Sequence, residues 1–212
     1  DSVTSIGDSA FDGCGLTSIV IPDSVTSIGD YAFLDCDGLT SITIPDSVTS
    51  IGYQAFYGCS SLTCVTMGDS VTSIGEYAFY DCPIQYASIP AFASYYIPRG
   101  YLQTVVITSG TIIGSSAFSG CRSLTSINIP DSVTSIGDSA FEDCSSLTSI
   151  VIPDSVTSIG EWAFRGCSSL TSVTMGNNIT SIGDGAFYWC FGLTSIVIPD
   201  SVTSIGDSAF DG

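Results

Sequence analysis

Lysine and histidine are both missing from these 212 residues, and the only cations are three arginines, Arg99, Arg122 and Arg165. Against 21 acidic residues they leave a net charge of −18. Phosphate neutralisation needs Lys and Arg, so binding to nucleic acid is excluded. An anionic membrane surface repels such a chain. Without histidine, a Ser or Cys nucleophile has no ordinary base, and cysteines recurring every 23 residues lack the short clustered spacing of a metal site. A phosphate-cradling glycine loop and a dinucleotide fingerprint are also missing. Two glycosidic carboxylates need only stand about 5–10 Å apart, a distance that columns of repeated acids meet everywhere and that therefore identifies nothing. No catalysis, cofactor or metal is expected. No apolar run is long enough to span a bilayer, and no leader is visible at the first residue, which is not Met.

What is present repeats. In phase with the repeat, the pair Ala-Phe recurs with Phe at 11, 33, 56, 79, 118, 141, 164, 187 and 210, at spacings of 22 or 23 residues except for one of 39. A fixed period in this range means stacked units. The thirteen residues DSVTSIGDSAFDG stand at both ends. The sequence therefore reads as one array over 1–212, an uncapped fragment of a longer repeat protein. Self-association through the uncapped ends is expected, because open coil faces and strand edges template pairing.

One unit, LTSIVIPDSVTSIGEWAFRGCSS from Leu147, shows how a coil is built. Leu147, Ile150 and Ile152 give the strand spacing L-x-x-I-x-I, and the two isoleucines share a face because strand side chains alternate. Pro153 cannot donate to a ladder and ends the strand. Val156 and Ile159 make a second inward stretch. Gly160 is read as a sharp bend, and Glu161 as the cap of a short helical turn that carries Trp162, Ala163 and Phe164. Seven or so buried side chains, at roughly 1.5–3 kcal/mol each, do not offset the ordering of a lone unit, so neighbours must cover both faces.

The pattern C-x-x-L-T-S-I-x-I-P-D-S-V-T-S-I-G-x-x-A-F resembles the BspA-type leucine-rich repeat family over nearly the whole chain. The resemblance implies a leucine-rich-repeat solenoid, a β-dominated right-handed superhelix with short helical turns and about nine coils. It also implies a surface or secreted protein engaged in adhesion or binding.

The phase breaks between Cys82 and Cys121. A degenerate irregular coil is expected at 84–101, where Ile84, Ala87 and Ile89 fit the template weakly and the Val-Thr-Ser-Ile-Gly phrase is lost. It occurs once, and it gathers Tyr86, Phe92, Tyr95, Tyr96 and Tyr101 around Arg99. Irregular segments on rigid scaffolds often carry function, and Tyr and Arg are enriched at binding hot spots. These six residues, with Trp162 and Trp189 on the edge near the Ala-Phe turn, are the candidate binding residues for a protein or glycan ligand. The same rings also suit seam filling and edge packing.

Other columns have plainer readings. Thr and Ser recur on outward strand positions, which suits a pleated surface. A flat hydroxyl lattice offers an alternative function, the binding of ice or polysaccharide, and a purely structural spacer is a third. Acidic residues follow the proline (Asp46, Asp154) and the glycine (Asp30, Asp138, Asp184), as turn and cap residues. Eight cysteines, from Cys14 to Cys190, fall three residues after each Phe but the last and are expected as a buried column of free thiols. Cys64 stands apart and is expected to be accessible. Asn178-Ile179-Thr180 matches a glycosylation sequon.

Overall fold

The computed structural model describes residues 2–212. The chain is a parallel β-solenoid that divides into two compact units, one ending at Pro98 and the other beginning at Arg99.

In the first unit, four two-residue strands stack in parallel and in register: Ser5–Ile6, Ser27–Ile28, Ser50–Ile51 and Ser73–Ile74. A second parallel stack joins Ser41–Ile44, Cys64–Met67 and Tyr86–Ile89, with Ser41 opposite Cys64 and Cys64 opposite Tyr86. The second unit repeats the scheme. Its short strands run from Ile112–Ile113 through Ser135–Ile136, Ser158–Ile159 and Ser181–Ile182 to Ser204–Ile205. Its longer strands pair Thr104–Ile107 with Ser126–Asn128, and Ser149–Ile152 with Ser172–Met175.

The alternation that predicted the strands is realised literally. In Ser149–Ile152 the two isoleucines are buried, and Ser149 and Val151, which alternate with them, are exposed. Pro153 follows at once and opens a turn closed by the Val156 N–H on its carbonyl, at 3.1 Å. The Phe column forms the centre of each unit. Successive rings stand 5.0–5.1 Å apart in the first unit, close to parallel. From Phe118 to Phe210 they stand 5.1–5.5 Å apart. Each fully covered ring contributes about 1.5–3 kcal/mol by leaving water. Its neighbours above and below supply that cover, which is why no single coil holds alone.

The Ala-Phe segment is a chain of tight turns and not a short helix. The residue before Ala takes a left-handed backbone in every coil, for example Tyr31 at φ 57° and Ser139 at φ 53°. So does the residue two after Phe, for example Asp143 at 57° and Gly166 at 72°. Two left-handed residues per turn are incompatible with a right-handed helix. The N–H groups so released point to the next coil: Phe141 donates to the Ala163 carbonyl and Asp143 to the Arg165 carbonyl, both at 2.7 Å. Glu161 therefore caps nothing; its own N–H is capped by Asp138 Oδ1 of the preceding coil at 2.9 Å.

Gly160 also has a different purpose from the one expected. Its φ is not positive, so no special bend requires it. A Cβ there would lie 2.6 Å from the Gly137 carbonyl carbon and from the Asp138 nitrogen. Glycine recurs at this position because adjacent coils touch backbone to backbone.

The only helical element among the described residues is a 3₁₀ segment, Ala91–Tyr96, in the irregular stretch. Before it, Ile84, Ala87 and Ile89 are fully buried and Tyr86–Ile89 continues the first unit's sheet, as the weak template match implied. The missing second strand is replaced by this segment, whose Ala91, Ala93 and Ser94 are buried and whose Ser94 hydroxyl donates to the Ala91 carbonyl at 2.8 Å.

Candidate functional site

The columns show which surface is already committed. Thr157, Thr180 and Thr203 each donate their hydroxyl proton to the equivalent Thr carbonyl of the preceding coil, at 3.3, 3.0 and 3.1 Å. The proton lies along the column, so these hydroxyls turn lone pairs and methyl groups outward but no donors. The acidic columns are committed in the same way. Asp30, Asp138 and Asp184 each accept, through Oδ1, the backbone N–H of the equivalent residue one coil later, at 2.7–2.9 Å. Asp46 and Asp154 do so after the proline turn. The carboxylates act as ties between coils. Among the described residues no group of three or more His, Cys, Asp or Glu side chains is placed to hold a metal ion.

All nine cysteines are free. Cys36, Cys59, Cys144 and Cys167 each donate an S–H to the Phe carbonyl one coil back, at 3.0–3.2 Å. Burial pushes the Cys36 thiol up to about 11 and those of Cys121 and Cys190 up to about 12. Cys14 is the exception in its column, being half-buried. Cys64 is also half-buried, less open than an outward Ser position suggested, and desolvation raises its pKa as well. Asn178 is exposed, but its side-chain amide nitrogen, the atom a glycan would need, donates to the Asp154 carbonyl at 2.9 Å.

The predicted binding residues fall into distinct environments. In the first unit, Tyr86, Phe92 and Tyr95 are exposed and Tyr96 is half-buried. Along the same unit's turn edge, Tyr53 packs edge-on against both Tyr31 and Tyr77, and Tyr57 stacks on Tyr80 at 5.5 Å. In the second unit, Tyr101 is exposed, at 60%. Arg99 is half-buried and turned onto its own unit, with Nη1 on the Ser119 carbonyl at 2.8 Å and Nη2 on the Ser116 carbonyl at 2.9 Å. Elsewhere the carbonyl equivalent to that of Ser119 accepts an N–H from the preceding Ala-Phe turn: Arg165 from Asp143, and Tyr188 from Gly166. The irregular segment has no such turn, and Arg99 supplies the missing donor.

Trp162 and Trp189 come together with residues that the sequence did not single out. Arg165 lies 5.9 Å from the Trp162 ring centre and 5.1 Å from that of Trp189, and it is ion-paired with Glu142. Tyr188 stacks on Trp189 at 4.9 Å. The rings and Arg165 line a groove of about 610 Å³, bordered by Glu161, Asp184 and Asp207. The two indoles remain 47% and 43% exposed. Both stand on left-handed backbone, Trp162 at φ 54° and Trp189 at φ 60°. The Trp189 position is otherwise Gly or Asp in every coil, from Gly13 and Asp35 to Gly166 and Gly212. A bulky residue in that conformation costs about 1–3 kcal/mol, so the fold alone gives no reason for it. The setting of Arg165 could not be read from sequence because Glu142 and Trp189, 23 and 24 residues away, meet it only through stacking.

The family description "BspA type leucine rich repeat region (6 copies)" matches residues 1–100 and again 91–212. A leucine-rich repeat protein from Bacteroides ovatus shares 26% identity and a TM-score of 0.53, over 97% of this chain and 76% of its own. A T. pallidum leucine rich repeat protein shares 31% identity, over 81% and 72% of the two chains, with a TM-score of 0.49. A leucine rich cell surface protein from Faecalibacterium prausnitzii shares 28%, over 89% and 74%, with a TM-score of 0.37. No curated protein matches the sequence.

Proposed function

The chain belongs to the BspA-type leucine-rich repeat family, and from that premise we propose that it is a non-catalytic binding or adhesion module of a surface or secreted protein. Its ligand is a protein or a glycan, met through exposed edge aromatics. The observation that carries the reading is the pair of exposed tryptophans, held over one groove on backbone that favours glycine. Aromatic residues and Arg are the usual anchors of protein interfaces. The surface assignment follows the family's character, and no helix among the described residues is long and apolar enough to cross a membrane.

Two contact areas are proposed, one in each unit. The first is Tyr86, Phe92, Tyr95 and Tyr96; the second is Trp162 and Trp189. Tyr101 and Arg99 sit at the start of the second unit, Arg99 with its donors already engaged. Beads coated with the chain should adhere to at least one member of a panel of extracellular-matrix proteins and immobilised glycans. Adhesion should fall in a Trp162→Ala/Trp189→Gly variant or in a Tyr86→Ala/Phe92→Ala/Tyr95→Ala variant, with thermal stability not lowered. A parent chain that adheres to nothing on the panel, or adhesion indifferent to both variants, leaves a spacer and sinks this reading.

A further inference from the structure

We propose that the groove between Trp162 and Trp189 receives an arginine- or lysine-bearing segment of a protein partner. The inference rests on the binding reading above and names the chemistry of one occupant. Three observations carry it. The first is charge. The groove is bordered by Glu161, Asp184 and Asp207, and its one cation, Arg165, is already neutralised by Glu142. The rest of the molecule, at −18, adds a field of the same sign. Such a surface steers cationic partners to itself and repels acidic ones.

The second is a worked instance inside the protein. The Arg165 guanidinium lies 5.1 Å from the Trp189 ring centre and 5.9 Å from that of Trp162, within the usual reach of a cation on an aromatic face. The groove thus already holds one guanidinium against both rings, and the indole surface left exposed offers a second cation the same attraction. The third is the supply of acceptors. The carboxylates of Glu161, Asp184 and Asp207 stand in the lining with the hydroxyls of Tyr188 and Ser208. Ammonium and guanidinium groups donate only, so each can engage these acceptors.

The test uses an accident of composition: the chain has two tryptophans, and both line this groove. Indole fluorescence therefore reports the site directly in the intact chain. The probes are a short alternating Arg-Gly peptide, an Asp-Gly peptide of equal length and a neutral cello-oligosaccharide. The Arg-Gly peptide should change the emission saturably, the Asp-Gly peptide should not, and raising NaCl from about 50 to 500 mM should weaken the effect. Trp189→Gly, read through Trp162, should weaken binding about tenfold. Asp184→Asn, which keeps an acceptor for the Asp207 N–H, should weaken it too. Asp46→Asn, the same charge change on a proline-turn column, should not.

An Arg-Gly peptide that binds equally well to Trp189→Gly would mean charge alone attracts it, and the proposal fails. A response to the oligosaccharide alone overturns the cationic occupant and leaves the adhesion reading standing. Silence towards every probe overturns this inference, while the bead assay, which also samples the first unit, decides the broader reading separately.

Discussion

Single residues do three kinds of work in this repeat, and Arg99 shows the most specialised. It supplies the Ser119 carbonyl with the donor that an ordinary coil's backbone would give, which places it among structural residues although its type and setting suggested a contact residue. Charge-assisted hydrogen bonds contribute about 1.5–3 kcal/mol. Arg99→Ala should therefore destabilise the second unit by about that amount and speed amide hydrogen exchange in residues 116–121, with Arg99→Lys recovering part of the loss. Exchange in that segment unaltered by Arg99→Ala would remove the donor role. The repeated Asp residues do a second kind of work, each holding the next coil's N–H. Trp162 and Trp189 do a third: their backbone keeps the turn's pattern, while their indoles stay nearly half exposed over the groove.

At the scale of elements, the columns matter more than the strands. Each strand is two to four residues long, too short to hold by itself, while the Phe, Cys and Gly columns run through each unit. The cysteine column makes this testable by pH. Several of its thiols are raised above the ordinary value of about 9, to about 11 for Cys36 and about 12 for Cys121 and Cys190, first by desolvation. A group whose folded pKa is raised favours the folded state fully below its unfolded pKa and loses that contribution as pH rises through the folded pKa. The thiol contribution should thus be constant below about pH 9, and stability should fall from there to about 12, as followed by urea denaturation at each pH. Substituting Cys144 and Cys167 with Ala should shallow the fall; an unchanged alkaline limb would show that the column does not titrate. Native labelling with a thiol reagent should reach Cys14 and Cys64 first, since both are half-buried where the other seven are buried.

At the scale of the whole molecule, charge is the dominant unbalanced term. A net −18 with a single ion pair found among the described residues leaves the carboxylates repelling one another. The repulsion is screened within about 10 Å at 0.1 M salt and within about 3 Å at 1 M. Thermal stability should therefore rise with NaCl across that range, in contrast to the cationic-peptide binding, which should weaken. A melting temperature that falls as salt is added would show that paired charges hold the fold together after all.

Local regularity made much of this legible in the sequence. The period, the L-x-x-I-x-I alternation and the proline stop are properties of adjacent residues, and the coils, strands and Phe core follow from them. Ile84, Ala87 and Ile89, which fit the template weakly, are buried, and Tyr86–Ile89 is a strand. Other features depend on what lies one coil away, at a separation of about 23 residues. Stacking, not local sequence, decided that Gly160 faces backbone instead of making a bend. It turned Asp138 into a tie for Glu161, set the left-handed residues that exclude a helix at Ala-Phe, and directed Arg99 onto the Ser119 carbonyl, which lacks its usual donor. Stacking also brought Arg165 between two tryptophans that are 27 positions apart in the chain. The groove exists only because each coil presents its edge to the next.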